Sequence, residues 1–299
     1  MYSQIDRNKF LTFLLVAGFI AIVGTVSLVI GYVWSGDILA SFAIGVFAFI
    51  ISLVGGLISY FGGAQLVLGM TGAIDITGNP QYHDLHDRIE TLSIKAGLPR
   101  PKVYIIPDAA LNAFATGRNP ENGHVALTQG ILQALTPDEL EAVIAHELGH
   151  IKNYDIRLML IVSVLAGVLT TLSDFFLRSL FWGGVRRDNN GGGANPIMIV
   201  IGIAFALLAP LVAVIVQLAI SRRREFLADM TAVEITRYPQ SMINALRKLQ
   251  SDTRPVAKAT EGNAHMFIDF PLRDSGNFIR KLFSTHPPIE ERIEALQRI

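Results

Sequence analysis

Two uncharged apolar runs, residues 10–34 and 38–61, are separated only by Ser35, Gly36 and Asp37. Each reaches the roughly 20 apolar residues that cross about 30 Å of hydrocarbon. A third uncharged run covers residues 196–220, and a weaker one, 158–182, is interrupted by Asp174 and Arg178. Those two charges stand four apart, so on a helix they can pair with each other. The sequence therefore predicts four membrane-spanning helices in two hairpins, the second closed by the polar, glycine-rich stretch 186–193. A cleaved signal peptide does not fit the first run, whose apolar part is about twice too long; it reads as a retained anchor. Composition agrees, with 51% hydrophobic and only 17% charged among 299 residues. That is more apolar surface than a single soluble core of this size can bury.

Orientation follows from the placement of Lys and Arg. Arg7 and Lys9 precede the first run, and the Ser35–Asp37 link has no basic residue. Arg88, Lys95, Arg100, Lys102 and Arg118 follow the second run, and Arg222, Arg223 and Arg224 follow the fourth. Arg186 and Arg187 oppose this pattern and are outweighed. The expected organisation is a membrane hairpin over 1–61, a cytoplasmic segment over 62–157, a second hairpin over 158–220 and a cytoplasmic segment over 221–299. Both termini then face the cytoplasm of a cell (inner or plasma) membrane, and the lipid bilayer is a partner. A formal net charge of zero removes any electrostatic case for a nucleic-acid partner. The absence of cysteine excludes disulfides and thiolate ligands, so a metal would be held by His, Asp or Glu.

The polar segments read as mainly α with a small β-hairpin or sheet. Asn79 and Pro80 open a helix as N-cap and N1, Tyr82, Leu85, Ile89 and Leu92 share a face, and Gly97 ends it. His83 and His86 on this helix read as solvated surface residues without a role. Residues 102–106 and 123–128 have strand composition, and 112–117 is a short extended piece between them. Thr136, Pro137 and Glu139 form a capping box that announces a further helix.

That helix runs into His146-Glu147-Leu148-Gly149-His150. Histidines at i and i+4 share a helical face and can reach one Zn²⁺ at about 2.0–2.1 Å. Glu147, one residue on from His146, is placed to take a proton from activated water, as peptide-bond hydrolysis requires. Charged flanks (Glu139 and Glu141 before, Lys152, Asp155 and Arg157 after) put the motif in water, outside a span. A catalytic zinc takes a third protein ligand, and Glu225 and Asp229 lie four apart where the chain returns to the same side. One of them can bind the metal while the other accepts the N–H of a ligating histidine.

Four stretches in this order resemble the HtpX-type membrane metalloproteases, relatives of the CAAX prenyl endopeptidases. They are Asn112-Ala113-Phe114-Ala115-Thr116-Gly117, the His146–His150 motif, Ser221-Arg222-Arg223-Arg224-Glu225-Phe226-Leu227-Ala228-Asp229, and Thr285-His286-Pro287-Pro288. The resemblance implies a gluzincin-like zinc protease domain assembled from the two cytoplasmic segments, with one Zn²⁺ per subunit. It implies Glu225 as third ligand with Asp229 as its helical partner, and an extended substrate-binding strand over Asn112, Ala113, Phe114 and Ala115. It places His286 near the zinc, where an imidazole could stabilise an oxyanion. Asp155 and Arg292 are further candidates for contact with the site, a contact that spacing alone does not show. The implied activity is zinc-dependent endopeptidase action on protein or peptide substrates, damaged or misassembled membrane proteins among them, in quality control under stress. The rival readings are a CAAX-type prenyl-protein endopeptidase, whose relatives carry more spans, and a non-proteolytic membrane scaffold.

Overall fold

The computed structural model describes residues 2–35, 37–165, 222–260, 263–269, 271 and 287–299. Span four, most of span three with Asp174 and Arg178, and His286 lie outside these residues.

The chain begins with two helices of 34 residues each, α1 (Tyr2–Ser35) and α2 (Ile38–Thr71), which pack against each other. Asp37 caps α2 by accepting the Leu39 N–H at 2.9 Å. At ~1.5 Å per residue either helix is about 50 Å long. Among the described side chains no helix offers an unbroken apolar stretch long enough to cross a membrane, so the four expected spans are not established by the structure. α2 also continues ten residues past the expected end at Phe61. Nothing breaks it before Gly72, and Ala64, Val67 and Leu68 in that extension are buried.

Their burial is against a four-stranded mixed sheet in the order β1-β2-β4-β3. β1 (Ile74–Asp75) is antiparallel to β2 (Lys102–Ile106), which runs parallel to β4 (Gly123–Thr128), and β3 (Ala113–Gly117) is antiparallel to β4. The strands expected over 102–106 and 123–128 form with those bounds; β1 is too short to have a sequence signal. Alternation sorts the side chains onto two faces. Val103, Ile105, Ala113, Ala115, Val125 and Leu127 join one apolar cluster with α3 (His83–Ala96) and α5 (Pro137–Lys152). Tyr104, Ile106, Phe114 and Ala126 join a second cluster with α2 and the helical stretch 155–165.

The expected start at Asn79 and Pro80 forms a single 3₁₀ turn (Pro80–Tyr82), with Asn79 accepting the Gln81 N–H at 3.0 Å, and α3 follows. His83 is exposed and paired with Asp87 at 2.8 Å, as a surface histidine would be. His86 is not solvated: it is buried, with Nε2 2.9 Å from the Ile76 carbonyl. A short helix α4 (Gln129–Ala134) follows β4.

α5 is set by its capping box. Thr136 Oγ1 accepts the Glu139 N–H, and Glu139 Oε2 accepts the Thr136 N–H at 2.8 Å. It packs against α6 (Arg222–Thr236) and α7 (Pro239–Ser251), on which α8 (Ile289–Gln297) packs in turn. Gly149 explains how close α5 and α6 come: a Cβ there would meet Ala228 Cα at 3.2 Å and Thr231 Cβ at 3.3 Å. The helices meet at the turn that carries the two histidines, which brings the acidic residues of α6 beside them.

Candidate metal centre

His146 and His150 project from one face of α5 and are fully or nearly buried. Their Nε2 atoms lie 3.1 Å apart. Glu225 from α6 reaches both, with Oε2 3.7 Å from His146 Nε2 and Oε1 3.6 Å from His150 Nε2. These three residues are the group among the described residues whose ligand atoms converge, all within 4.8 Å of one another. Donors 2.0–2.1 Å from a tetrahedral ion stand about 3.3 Å apart, so the spacing fits zinc.

The other imidazole nitrogens are engaged by carboxylates. His146 Nδ1 lies 2.9 Å from Asp229 Oδ1, and His150 Nδ1 lies 3.1 Å from Asp155 Oδ2. Protons shared with these carboxylates assign the Nδ1–H tautomer and leave each Nε2 lone pair for a metal. Asp229 is gripped by Arg292 of α8 in a two-pronged pair, Nε to Oδ2 at 2.8 Å and Nη2 to Oδ1 at 2.7 Å. Arg292 also donates to the Ile268 carbonyl at 3.1 Å. Asp155 accepts from Asn8 Nδ2 at 2.7 Å and stands 3.5 Å from Arg224 Nε.

Charge supplies a second test of fit. Among the described residues at this centre, Glu147, Asp155, Glu225 and Asp229 are buried acids, and Arg224 and Arg292 are buried bases. With Glu147 ionised and both imidazoles neutral, four negative charges face two positive ones, a deficit of two that either a divalent cation or protons on His150 and Glu147 can balance. Buried charge without compensation is costly. The same imbalance moves the proton equilibria. Burial pushes the Glu147 carboxyl up to about 7, the Glu225 charge adding to it, against His150, Arg292 and the Ala115 amide. Burial opposes the His150 imidazolium, yet Glu225, Asp155 and Glu147 together push it up to about 9. Burial holds His146 down to about 4 despite Asp229. Burial alone would raise Asp229, but Arg292 and then His146 hold it below the ordinary carboxylate range.

Glu147 is buried beside this group and does not join it. Neither carboxylate oxygen has a hydrogen-bond partner in ordinary geometry. The nearby donor that lowers its pKa is the Ala115 backbone amide on β3. Asn112 sits just before β3. Its Nδ2 donates to the Asp269 carbonyl at 3.0 Å, and its Oδ1 accepts the Asp269 N–H at 3.3 Å. Ile268 N–H donates to the Ala113 carbonyl at 2.9 Å, and Phe114 bridges Phe267 with ring centroids 5.1 Å apart. The outer edge of β3, assigned to substrate from the sequence, is thus met here by the chain's own 267–269 stretch.

Sequence reasoning brought together His146, Glu147, His150, Glu225 and Asp229, and left Asp155 and Arg292 open; all seven meet in space. It missed Asn8 and the 267–269 stretch. A weak signal for Asn8 existed: Asn8 and Thr12, one helical turn apart, are polar and share a face at the start of an otherwise apolar helix.

The pattern of peptidase family M48 matches residues 80–299. The chain belongs to peptidase family M48. A protein named "Protease HtpX homolog" from Tropheryma whipplei (strain Twist) is 44% identical over 301 residues, covering 100% of this chain and 98% of the relative. Another of the same name from Ligilactobacillus salivarius (strain UCC118) is 41% identical with full coverage of both. The crystal structure of S. mikatae Ste24p superposes with a TM-score of 0.51 at 22% identity, over 98% of this chain and 67% of that one. That likeness speaks to the fold alone. With the family, the chain is a metalloprotease and a hydrolase, and the M48 fold accounts for its mainly helical build around a small mixed sheet.

Proposed function

We propose that this chain is a membrane-integrated zinc endopeptidase in which His146, His150 and Glu225 hold the metal and Glu147 moves the proton. The observation that carries the reading is the 3.1–3.7 Å spacing of the three donors with the buried Glu147 carboxylate beside them, outside their group. Bound zinc supplies Lewis acidity, activating water and polarising the scissile carbonyl. Glu147, already displaced to about 7, takes a proton from the attacking water and delivers it to the departing amine nitrogen. Asp229 and Asp155 orient the two imidazoles through Nδ1, and Arg292 keeps Asp229 ionised. His286 enters this reading only through the family resemblance.

The substrate is a protein segment lying extended near Ala115 on β3, the strand nearest Glu147, beyond the 267–269 stretch that already takes the Asn112 side-chain amide and the Ala113 carbonyl. Pairing through the backbone tolerates many side chains, which suits removal of damaged or misassembled membrane proteins. The membrane setting is supported by the surface of the first two helices. Phe13, Phe42, Phe47 and Ile58 are 62–68% exposed, and Leu39 is 76% exposed. Such a continuous apolar face is a liability in water and ordinary in lipid. The four spans, the inner or plasma membrane location and the cytoplasmic catalytic face belong to the same proposal.

The test is Glu147→Gln. The purified variant should fold and hold zinc as the parent does and hydrolyse casein at less than about one thousandth of its rate, in keeping with the size of general-base and nucleophile-activation effects. Near-parental hydrolysis by the variant would remove Glu147 from the proton's path.

A further inference from the structure

A cavity of about 270 Å³ lies between α2 and the sheet, on the face opposite the metal centre. Alternation explains why it exists. Along β2 the residues facing α2 are Lys102, Tyr104 and Ile106, and along β4 they are His124, Ala126 and Thr128. At the Ile106 end this face is filled by Phe114, Met266 and Phe267. At the Lys102 end the facing residues turn polar, and apolar packing beneath α2 gives out.

What lines the opening is predominantly cationic. Arg100, Lys102 and Arg118 border it against a single acid, Glu121. Lys102 and His124 are direct partners in the β2–β4 ladder, so both rise from the same face. Arg100 is shared with Glu90 at 3.2 Å on the surface. His124 is 5% exposed, its Nδ1 has no partner, and it lines the same cavity. A buried imidazole nitrogen with nothing to bond is costly and is the kind of group that completes its bonding with a ligand. Burial, with Lys102 adding to it against Asp75, holds this imidazole down to about 4, so near neutral pH it offers one N–H without a charge of its own.

The opposite wall sets the class of ligand. Tyr60 and Phe61 of α2 line the cavity, and the Arg118 guanidinium lies 4.8 Å from the Phe61 ring centroid. Phe61 is itself 62% exposed, and the apolar face continues along α2 through Ile58 and Leu57. A cationic cavity opening directly onto an exposed apolar helix face matches an amphiphile with a phosphate at one end.

We propose that this cavity binds the phosphate of an anionic lipid headgroup through Lys102, Arg118 and His124, with the acyl chains laid along the Leu57–Phe61 face of α2. The proposal rests on the membrane reading above. Free phosphate shares the headgroup chemistry and lacks the chains, so the two sources separate in solution. The holoenzyme in dodecyl maltoside is titrated calorimetrically with dihexanoyl phosphatidylglycerol, dihexanoyl phosphatidylcholine and inorganic phosphate. Phosphatidylglycerol should bind at least about tenfold more tightly than either alternative. Lys102→Gln combined with Arg118→Gln should weaken it at least about tenfold, charge-keeping Lys102→Arg should retain it, and Lys95→Gln on the far surface of α3 should leave it unchanged. Equal binding of the two lipids, equal binding of inorganic phosphate, or full binding by the doubly neutralised variant would each overturn the proposal. Resistance of the parental protein to carbonate extraction from membranes reports separately on the spans. A protein that resists extraction and shows no headgroup preference counts against the cavity alone; one that is extracted counts against the membrane reading.

Discussion

Asn8 donates its side-chain amide to Asp155 Oδ1 at 2.7 Å, joining residues 147 positions apart in the chain. The same amide donates to the Asn153 carbonyl at 2.9 Å, and the other oxygen of Asp155 faces His150 Nδ1 at 3.1 Å. The first helix therefore reaches a proposed zinc ligand through one intervening carboxylate. Residues that orient ligands in this way typically contribute 10–100-fold to metal affinity, and a residue one step further out should sit at the low end.

Asn8→Ala is expected to lower zinc affinity about tenfold, read as zinc content over a chelator series. Asn8→Asp should do worse, because it sets a second carboxylate against Asp155 where the amide now donates. Parental zinc retention by both variants would reduce Asn8 to a packing residue.

Asn8 also shows where the sequence stops being legible. The capping box, the strands over 102–106 and 123–128 and the i, i+4 pair Glu225/Asp229 are local patterns, and each formed as read. Which acid of that pair faces Nε2 and which faces Nδ1 depends on how α6 lies across α5, a packing fact set by Gly149 and Ala228. His86 was misread because its partner, the Ile76 carbonyl, lies on a stretch with no strong signal of its own. The run-on of α2 was hidden because an apolar sequence facing lipid and one facing a sheet look alike.

The α5 cap has a measurable consequence. Thr136 and Glu139 satisfy each other's backbone N–H at the start of the helix that bears both histidines, and Lys248 supports Glu139 through a hydrogen bond of 2.6 Å. Thr136→Ala should cost about 1 kcal/mol, seen as a lower unfolding midpoint, with zinc stoichiometry unchanged. A loss of zinc at unchanged midpoint would contradict a purely supporting role for the cap.

His124 predicts an acid limb in stability. Its folded pKa of about 4 lies below the ordinary 6.5, with burial the main cause and Lys102 adding to it. Between those values the unfolded chain binds the proton and the folded one does not, so stability falls as pH drops from about 6.5 towards 4. After discounting for partial solvent screening, the loss is about 2 kcal/mol. His124→Asn should flatten the unfolding midpoint across that window in lipid-free detergent. An unchanged slope would mean that other groups carry the acid limb.

Glu225→Ala and Asp229→Asn should separate cleanly in metal retention. Glu225 places its two oxygens 3.7 Å and 3.6 Å from the two Nε2 atoms, whereas Asp229 meets His146 only at Nδ1, on the far side of the ring. Removing Glu225 takes away one of three proposed protein donors and leaves a pair of imidazoles, so the site should empty at modest chelator concentration. Asp229→Asn leaves all three donors in place. It still costs orientation of His146, and it leaves Arg292, fully buried, facing a neutral amide across 2.7–2.8 Å. That should lower zinc affinity about 10–100-fold and destabilise the fold, because Arg292 loses its two-pronged partner and keeps the longer 3.8 Å approach of Glu225. Metal content by mass spectrometry across a chelator series, with unfolding midpoints measured on the same samples, ranks the two. Earlier zinc loss by Asp229→Asn than by Glu225→Ala would exchange their roles. Retention by both would place the third ligand elsewhere, and Asp155, already 3.1 Å from His150 Nδ1, would be the next carboxylate to replace.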